Sequence, residues 1–598
     1  MSSNHSSAIN WHQWNSESFE QAAKEGKLVL LSITAPWCHW CHVMDRTTYS
    51  HPSVIDLINN RFIPIKVEGD SRPDIQDKYL LGGWPTTSFL VPDGRILSGT
   101  TFLPPEAMIN KLREIDALYT DQNSLAMMQV TSMAAEAEAG TMEAETKTEQ
   151  PWYEITDKIV NAVSNSYDPI SGGFGKEPKF LYPEAIRFAF LQFRRHGSSS
   201  LLKIALNTLD SMISLCDPVW GGFYRYAVNR DWSHPHYEKM LYVQAGAMDN
   251  YLDAYQITSD SKYGETAAGI EAYVNRFLSD QVNGGFYSSQ DADVGSHTPD
   301  ATLIFGEDYF FKEEKERLEI GIPYVDKSLY TDINGQMASA YFRLYQVLGD
   351  DNARKFALKT IDRLLRENMK DDCMCHRSDV DMPIYGLLAD QVYFGIALAD
   401  AYQSTGDRKY LDYAKKIAGF MITQLQDIVQ GGFHSKLDDP HAIGHLSERH
   451  KPFIENVASA KFFADLHYLT GDDMLRKYAI NTLDDVDYPD MINSILGAGY
   501  GIAADTIMYH PLQVVIVGRL SDPITSKMLS AVLYASEPWK LVQVLDPDQG
   551  PLIIGDREFP DSVKPAAYIC QDKSCNGPIS DIEVIVSTLN EIEKRISR

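Results

Sequence analysis

Residues 28–42 read Leu-Val-Leu-Leu-Ser-Ile-Thr-Ala-Pro-Trp-Cys-His-Trp-Cys-His and constrain the fold more than any other stretch of the chain. The apolar run Leu28 to Thr34 predicts a buried β-strand, Pro36 breaks it, and two cysteines follow at C-x-x-C spacing where a helix through 43–48 is predicted to begin. A sulfur at a helix N-terminus meets unpaired backbone N–H groups and the positive end of the helix dipole, which favour the thiolate. His39 and His42 add potential positive charge. On this reading Cys38 attacks a disulfide, and Cys41, one turn along and more buried, resolves the mixed disulfide. Three other readings stay open on the same residues. Cys38-His39-Trp40-Cys41-His42 fits the haem-attachment pattern C-x-x-C-H; Cys38, Cys41 and His42 offer three zinc donors without a second C-x-x-C; and the two cysteines can be a structural pair.

Phe62 to Val67 predicts a second strand and Pro73 to Leu81 a helix. Gly82-Gly83-Trp84-Pro85-Thr86-Thr87-Ser88-Phe89-Leu90-Val91-Pro92-Asp93-Gly94-Arg95-Ile96-Leu97 reads as a loop, a strand, a turn and a strand. Taken together, Cys38 to Met44, Ile65-Lys66-Val67 with Arg72-Pro73-Asp74, Gly82-Gly83-Trp84-Pro85 and Pro92-Asp93-Gly94 resemble the thioredoxin-domain family of spermatogenesis-associated protein 20. The resemblance implies a multidomain chain: an α/β thioredoxin-like domain followed by an all-α (α/α)6 toroid of the six-hairpin glycosidase and N-acylglucosamine 2-epimerase kind. It implies no established substrate. In that fold Pro85 is expected in the cis form, facing the cysteines. Cys38, Cys41 and Pro85 are then the candidate catalytic residues, with His39, Trp40 and Trp84 beside them as substrate contacts. One departure matters. Where thioredoxins carry a buried aspartate that helps move the resolving cysteine's proton, this chain has Ser32, so His42 or water must serve instead.

The expected domains are 1–120, thioredoxin-like; 121–150, a helical connector rich in Ala and Glu; 151–505, the toroid; and 506–598, a small α/β segment packed on it. Between Trp152 and Asp485, apolar residues recur at 3.6-type spacing in twelve segments, the number that six hairpins require; the segment at 303–319 is among them. Gly-Gly-Phe recurs at Gly172, Gly221, Gly284 and Gly431, as helix-terminating turns with an aromatic plug.

Six-hairpin barrels bind sugars at one end and use carboxylates or histidines for acid–base work. His236, Glu238, Asp291, Asp293 and Asp390 match the family's characteristic positions and are the candidate ligand contacts of the toroid. The surrounding pattern departs from the family at Val243-Gln244, at Val294-Gly295-Ser296-His297 and at Glu455-Asn456-Val457. Cys373-Met374-Cys375-His376 lacks the second half of a zinc site. Cys216 reads as core, and Cys570 and Cys575 as a possible second dithiol.

The 54 basic and 82 acidic residues give a net charge of −28, which argues against a grip on phosphates and hence against nucleic acid as partner. No run approaches the ~18 apolar residues of a membrane span, and Met1 to Glu20 show no secretory pattern. Seven cysteines in 598 residues do not make a disulfide framework, so the expected compartment is the cytoplasm. No cofactor or metal is expected. The expected partner is a protein thiol or disulfide, or a carbohydrate-like small molecule. Three functions follow: a thiol–disulfide oxidoreductase, a carbohydrate-active enzyme of the epimerase or hydrolase type, or a non-catalytic scaffold.

Overall fold

The computed structural model describes residues 8–121, 127, 152–298, 301–535, 540–561, 564–571 and 574–596. The expected connector at 121–150 falls almost wholly outside them. The chain divides into two compact units.

The first unit comprises Met1–Glu149, Ser289–Asp326 and Asp438–Arg449. Its N-terminal part runs α1 (Ser16–Glu25), β1 (Leu28–Thr34), α2 (His39–Thr47), α3 (Pro52–Arg61), β2 (Phe62–Glu68), α4 (Pro73–Tyr79), β3 (Thr86–Leu90), β4 (Ile96–Thr100) and α5 (Pro105–Asp121). The sheet order is β2-β1-β3-β4. β1 pairs parallel with β2 and antiparallel with β3, and β3 pairs antiparallel with β4. That is the thioredoxin topology. Leu28 to Ile33 are buried without alternation, as befits a central strand covered on both faces; each large side chain there contributes about 1.5–3 kcal/mol by leaving water. Residues 289–326, expected inside the toroid, belong to this unit instead. Among the described residues their helices are two short ones, Gly306–Tyr309 and Glu314–Ile320, with Gly321 in a conformation that ends the second, and Ser289–Gln290 pairs antiparallel with Val325–Asp326.

The second unit holds a ring of helices. Among the described residues these are α6 (Trp152–Ser166), α7 (Pro183–His196), α8 (Ser199–Met212), α9 (Leu241–Thr258), α10 (Ser261–Phe277), α11 (Thr331–Leu348), α12 (Asp351–Glu367), α13 (Leu388–Thr405), α14 (Arg408–Phe420), α15 (Phe453–Thr470), α16 (Asp473–Asp485) and α17 (Ala498–Met508). The inner helices α7, α9, α11, α13, α15 and α17 each pack against the next, and α17 packs back on α7. Each has an outer partner: α8, α10, α12, α14 and α16 follow their inner helices, and α6 backs α17. The result is an (α/α)6 toroid. The twelfth helix is α17 rather than 303–319. Its sequence, Ala-Gly-Tyr-Gly-Ile-Ala-Ala-Asp-Thr-Ile-Met, is buried nearly all round and so lacks the amphipathic stripe that marks the outer helices.

The Gly-Gly-Phe repeats have a common construction. An aspartate four residues before the first glycine exchanges backbone hydrogen bonds with the turn: Asp168, Asp217, Asp280 and Asp427 each donate N–H to the second glycine's carbonyl and accept from the first glycine's N–H. A cation then ties the aspartate to the first glycine's carbonyl. Lys179 reaches Asp168 and Gly172, Lys239 reaches Asp217 and Gly221, Arg363 reaches Asp280 and Gly284, and Lys451 reaches Asp427 and Gly431. In three repeats an inner-helix amide clamps the phenylalanine backbone on both its N–H and its C=O: Gln244 on Phe223, Asn334 on Phe286 and Asn456 on Phe433. The turns thus satisfy their backbone groups while locking one hairpin to the next.

Inner helices approach closely where glycine allows it. A Cβ on Gly335 of α11 would lie 2.7 Å from the Tyr393 carbonyl group on α13, and backbone cannot give way. Gly335→Ala is expected to lower unfolding stability by about 1–3 kcal/mol. Gly269→Ala on α10, where nothing lies within 4 Å of the added carbon, is expected to raise it by about 0.5–1 kcal/mol. Urea unfolding of the two variants checks the contrast.

The C-terminal residues of this unit form β5 (Leu512–Val517), α18 (Pro523–Tyr534), β6 (Lys540–Leu545), β7 (Ala566–Gln571), β8 (Ser574–Ile579) and α19 (Ile582–Ile596). The sheet order is β6-β5-β7-β8, with β5 parallel to β6 and antiparallel to β7. Strand order and directions repeat those of the N-terminal sheet, so the tail is a second domain of thioredoxin topology. It lacks cysteines at the turn after its first strand, where Gly518-Arg519-Leu520 stand. Its Cys570–Cys575 disulfide joins β7 to β8 instead. It docks on the toroid through Tyr402 Oη donating to the Val544 carbonyl at 3.3 Å and Val542 N–H donating to Gln403 Oε1 at 3.2 Å. Among the described residues no helix is long and apolar enough to cross a membrane.

Candidate functional site: the Cys38–Cys41 disulfide and its carboxylate partners

Strand β1 ends at Thr34, Pro36 turns the chain, and Cys38 becomes the N-cap of α2 in extended conformation. Its Sγ accepts the Cys41 N–H at 3.1 Å, so the sulfur takes the place a capping oxygen usually holds. Cys38 and Cys41 are joined in a disulfide. Both are 3% exposed, which corrects the expectation that Cys41 would be the more buried. The Trp84–Pro85 bond is cis, and Pro85 is buried directly before β3. Trp84 meets Trp37 edge-on, with ring centroids 5.3 Å apart. Trp40 is 45% exposed and leans on Phe102. Ser32 is buried at the middle of β1 and hydrogen-bonds Tyr49, whose hydroxyl burial pushes up to about 12.

The carboxylates beside α2 come from residues 289–326 of the same unit. His39 Nδ1 donates to Asp293 Oδ2 at 2.5 Å, and Asp293 Oδ1 accepts the Gly306 N–H at 3.0 Å. His42 Nε2 lies 3.0 Å from Asp291 Oδ2, which also accepts from Ser296 Oγ at 2.5 Å and stands 3.4 Å from His297 Nε2. The His42 and His297 rings meet edge-on at 4.8 Å, and His297 stacks on Tyr324 at 3.8 Å. Arg46, one turn further along α2, donates to the carbonyls of Gly295 and Ala301 at 2.6 and 3.1 Å. One face of α2, over successive turns, is therefore fastened to this segment.

Electrostatics follow the geometry. Burial acts against a charge on His42, but the hydrogen bond and charge of Asp291 outweigh it and raise its pKa. Burial likewise works against the Asp291 carboxylate, yet hydrogen bonds from His297, His42 and Ser296 hold it well below the usual range. The arrangement is a buried carboxylate flanked by two imidazoles, one of which, His42, directly follows Cys41.

The expected toroid contacts separate. Asp291 and Asp293, assigned to a sugar funnel from their family positions, are ligands of α2 histidines. His236, Glu238 and Asp390 lie in the other unit. There His236 stacks on Tyr226 with its Nδ1 3.5 Å from Glu238 Oε1, and Asp390 pairs with His376 at 2.9 Å. The linear pattern pointed to no role for Arg46, for His297 and Tyr324, or for Phe305, whose ring meets His39 edge-on at 5.1 Å. Ser296 and His297 did carry a signal, since they occupy the stretch that departs from the family pattern after Asp293. The residues Cys38, Cys41 and His42 form no common donor set here: the two sulfurs bond each other.

Residues 1–138 match the family described as Thioredox_DsbH, protein of unknown function, DUF255. The chain is similar to spermatogenesis-associated protein 20 of Mus musculus, 32% identical over 309 residues that cover 48% of this chain and 39% of that protein. An uncharacterized protein of Caenorhabditis elegans is 25% identical over 465 residues, 70% of this chain and 63% of that one. The chain thus spans about two fifths of the length of its mouse relative. Among solved structures, a sugar epimerase from a ruminal bacterium aligns with 60% of this chain and 98% of its own, at 14% identity and a TM-score of 0.47. Residues 1–138 thus match the model of the DsbH/DUF255 thioredoxin family, and part of the chain is similar to spermatogenesis-associated protein 20.

Proposed function

We propose that the first unit is a thiol–disulfide oxidoreductase in which Cys38 is the nucleophile and Cys41 the resolving cysteine. The observation that carries this reading is a disulfide at the N-terminus of α2, with Cys38 Sγ accepting the Cys41 N–H, in a thioredoxin-topology sheet. In the reduced state the same N–H and the helix dipole favour a Cys38 thiolate. That thiolate attacks one sulfur of a substrate disulfide and expels the other as a thiolate. Cys41, losing its proton, then attacks Cys38 Sγ, which releases the second substrate sulfur and restores the Cys38–Cys41 bond. With Ser32 in place of a carboxylate, that proton goes to water or to His42, the next residue after Cys41, whose Nε2 stands 3.0 Å from both Asp291 Oδ2 and the Pro36 carbonyl oxygen. Partner selection falls to exposed Trp40 and half-buried Trp84 and His39.

Cys41→Ser tests the order of attack. Incubated with an oxidised protein substrate, this variant is expected to accumulate a mixed disulfide at Cys38, read by non-reducing mass spectrometry. A mixed disulfide absent there, with wild type equally inert, counts against the reading.

A second reading concerns the toroid. Its axis holds a cavity of about 400 Å³, to which each inner helix contributes a charged group: Arg187, Asp249, Arg343, Asp400, Lys461 and Asp505. Burial pushes Asp400 up to about 6, within range of acid–base work near neutral pH. A small molecule that pairs hydroxyl groups with an apolar face, as a sugar ring does, suits a lining that mixes these charges with Tyr393, Phe453 and Phe462. Thermal-shift screening of a sugar library against wild type and Asp400→Asn tests it; a stabilising sugar whose effect survives Asp400→Asn argues against the cavity as the site.

A further inference from the structure

We propose that Asp332, His376 and Asp390, in the toroid unit, bind a divalent transition-metal ion of the zinc or manganese class. Asp332 is the second residue of α11 and Asp390 the third of α13, two inner helices that pack together. His376 stands on the connection between α12 and α13. Its Nδ1 is 2.9 Å from Asp390 Oδ1 and 4.0 Å from Asp332 Oδ1, and one donor atom from each residue lies within 4.8 Å of the others. Donors bonded to one ion at about 2.0–2.2 Å sit roughly 3–4 Å apart, so little movement is needed to close the set.

Two further features point to a cation. Asp390 is fully buried, and its Oδ2 has no hydrogen-bond partner; Asp332 Oδ1 is also buried and unpartnered. Carboxylate oxygens left this way beside one another are costly, and a cation between them removes both the desolvation and the repulsion. His376 is also fixed in advance. Tyr330 stacks on its ring at 4.8 Å, its N–H donates to the Ile384 carbonyl at 2.8 Å, and its carbonyl accepts the Thr331 N–H at 2.9 Å. The contrast with the first unit is instructive. His42, Asp291 and His297 also bring three donor atoms together, but there Asp291 Oδ2 is engaged by Ser296 and both imidazoles, whereas in the toroid Asp390 Oδ1 takes His376 Nδ1 and the Asp332 N–H and leaves Asp390 Oδ2 and Asp332 Oδ1 open. One imidazole and two carboxylates suit zinc or manganese better than calcium, which takes oxygen donors throughout. Three protein ligands leave coordination positions for water or a substrate oxygen.

The test is isothermal titration of the chelator-treated full-length chain with Zn²⁺ and with Mn²⁺. Wild type is expected to take up a single ion, and His376→Ala and Asp390→Asn are expected to weaken its affinity at least ~100-fold. His297→Ala is expected to leave it unchanged. If either toroid variant loses its far-ultraviolet circular dichroism, Asp332→Asn, at a side chain 22% exposed, replaces it with an expected loss of at least ~10-fold. Failure of wild type to bind either ion overturns the proposal. So does a folded His376→Ala chain that binds as tightly as wild type, or loss of binding in His297→Ala alone.

Discussion

Cys38→Ser is expected to lose at least ~100-fold in the reduction of insulin disulfides by a dithiol-recycled assay, with its circular dichroism unchanged. The size follows from chemistry. A serine hydroxyl at neutral pH is not ionised and does not exchange with sulfur, whereas a cysteine at a helix N-terminus is shifted toward thiolate. The fold has little to lose, because the disulfide closes a loop of only three residues' separation, and stabilisation by loop closure shrinks as the loop shortens. Loss of activity together with loss of structure would instead mark the bond as a staple.

The next largest effect is expected on stability, from Asp291→Asn. Asp291 is 1% exposed and serves both His42 and His297. Removing the charge leaves the buried His42 imidazole without its anion, and breaking a buried pair from one side costs about 3–5 kcal/mol. The sign of its pH dependence follows from the two shifts. His42 has a folded-state pKa above its unfolded one, so its contribution is complete below about 6.5 and lost as pH rises through the folded value. Asp291 has a folded-state pKa below its unfolded one, so its contribution is complete above about 3.9 and lost as pH falls toward the folded value. The stability gap between wild type and Asp291→Asn is therefore expected to be widest between about pH 4 and 6.5 and to narrow on both sides. Urea unfolding at pH 3, 5.5 and 8.5 measures it. A gap that is flat across this range would mean that the pair is not ionic.

Local patterns carried much of this molecule. Leu28 to Thr34, the C-x-x-C turn and Pro85 could be placed from residue order alone, since a buried strand, a helix start and a proline before a strand are all short-range features. The outer helices of the ring were legible for the same reason, because one face of each meets water. Three features depend on contacts between distant residues. Asp291 and Asp293 look like funnel carboxylates in a linear reading, yet they sit some 250 residues downstream of the histidines they hold, and no periodicity records a distant strap rejoining the unit that contains α2. Helix α17 has no polar face to give it away. The tail's resemblance to the N-terminal sheet lies in strand order and direction, which β5 to β8 share with β1 to β4 without sharing the cysteines. His376 and Asp332 are separated by 44 positions and become neighbours only when α11 and α13 pack.

A redox role requires that the sulfurs at the head of α2 react when reduced. The direct measurement is iodoacetamide alkylation of the freshly reduced chain across pH, with peptide mass spectrometry to identify the modified residue. Alkylation at Cys38 that outpaces Cys41 and titrates with a midpoint below the ordinary thiol value of about 8.5 is the predicted result. Cysteines 38 and 41 that both stay unmodified in the folded, reduced protein would contradict it.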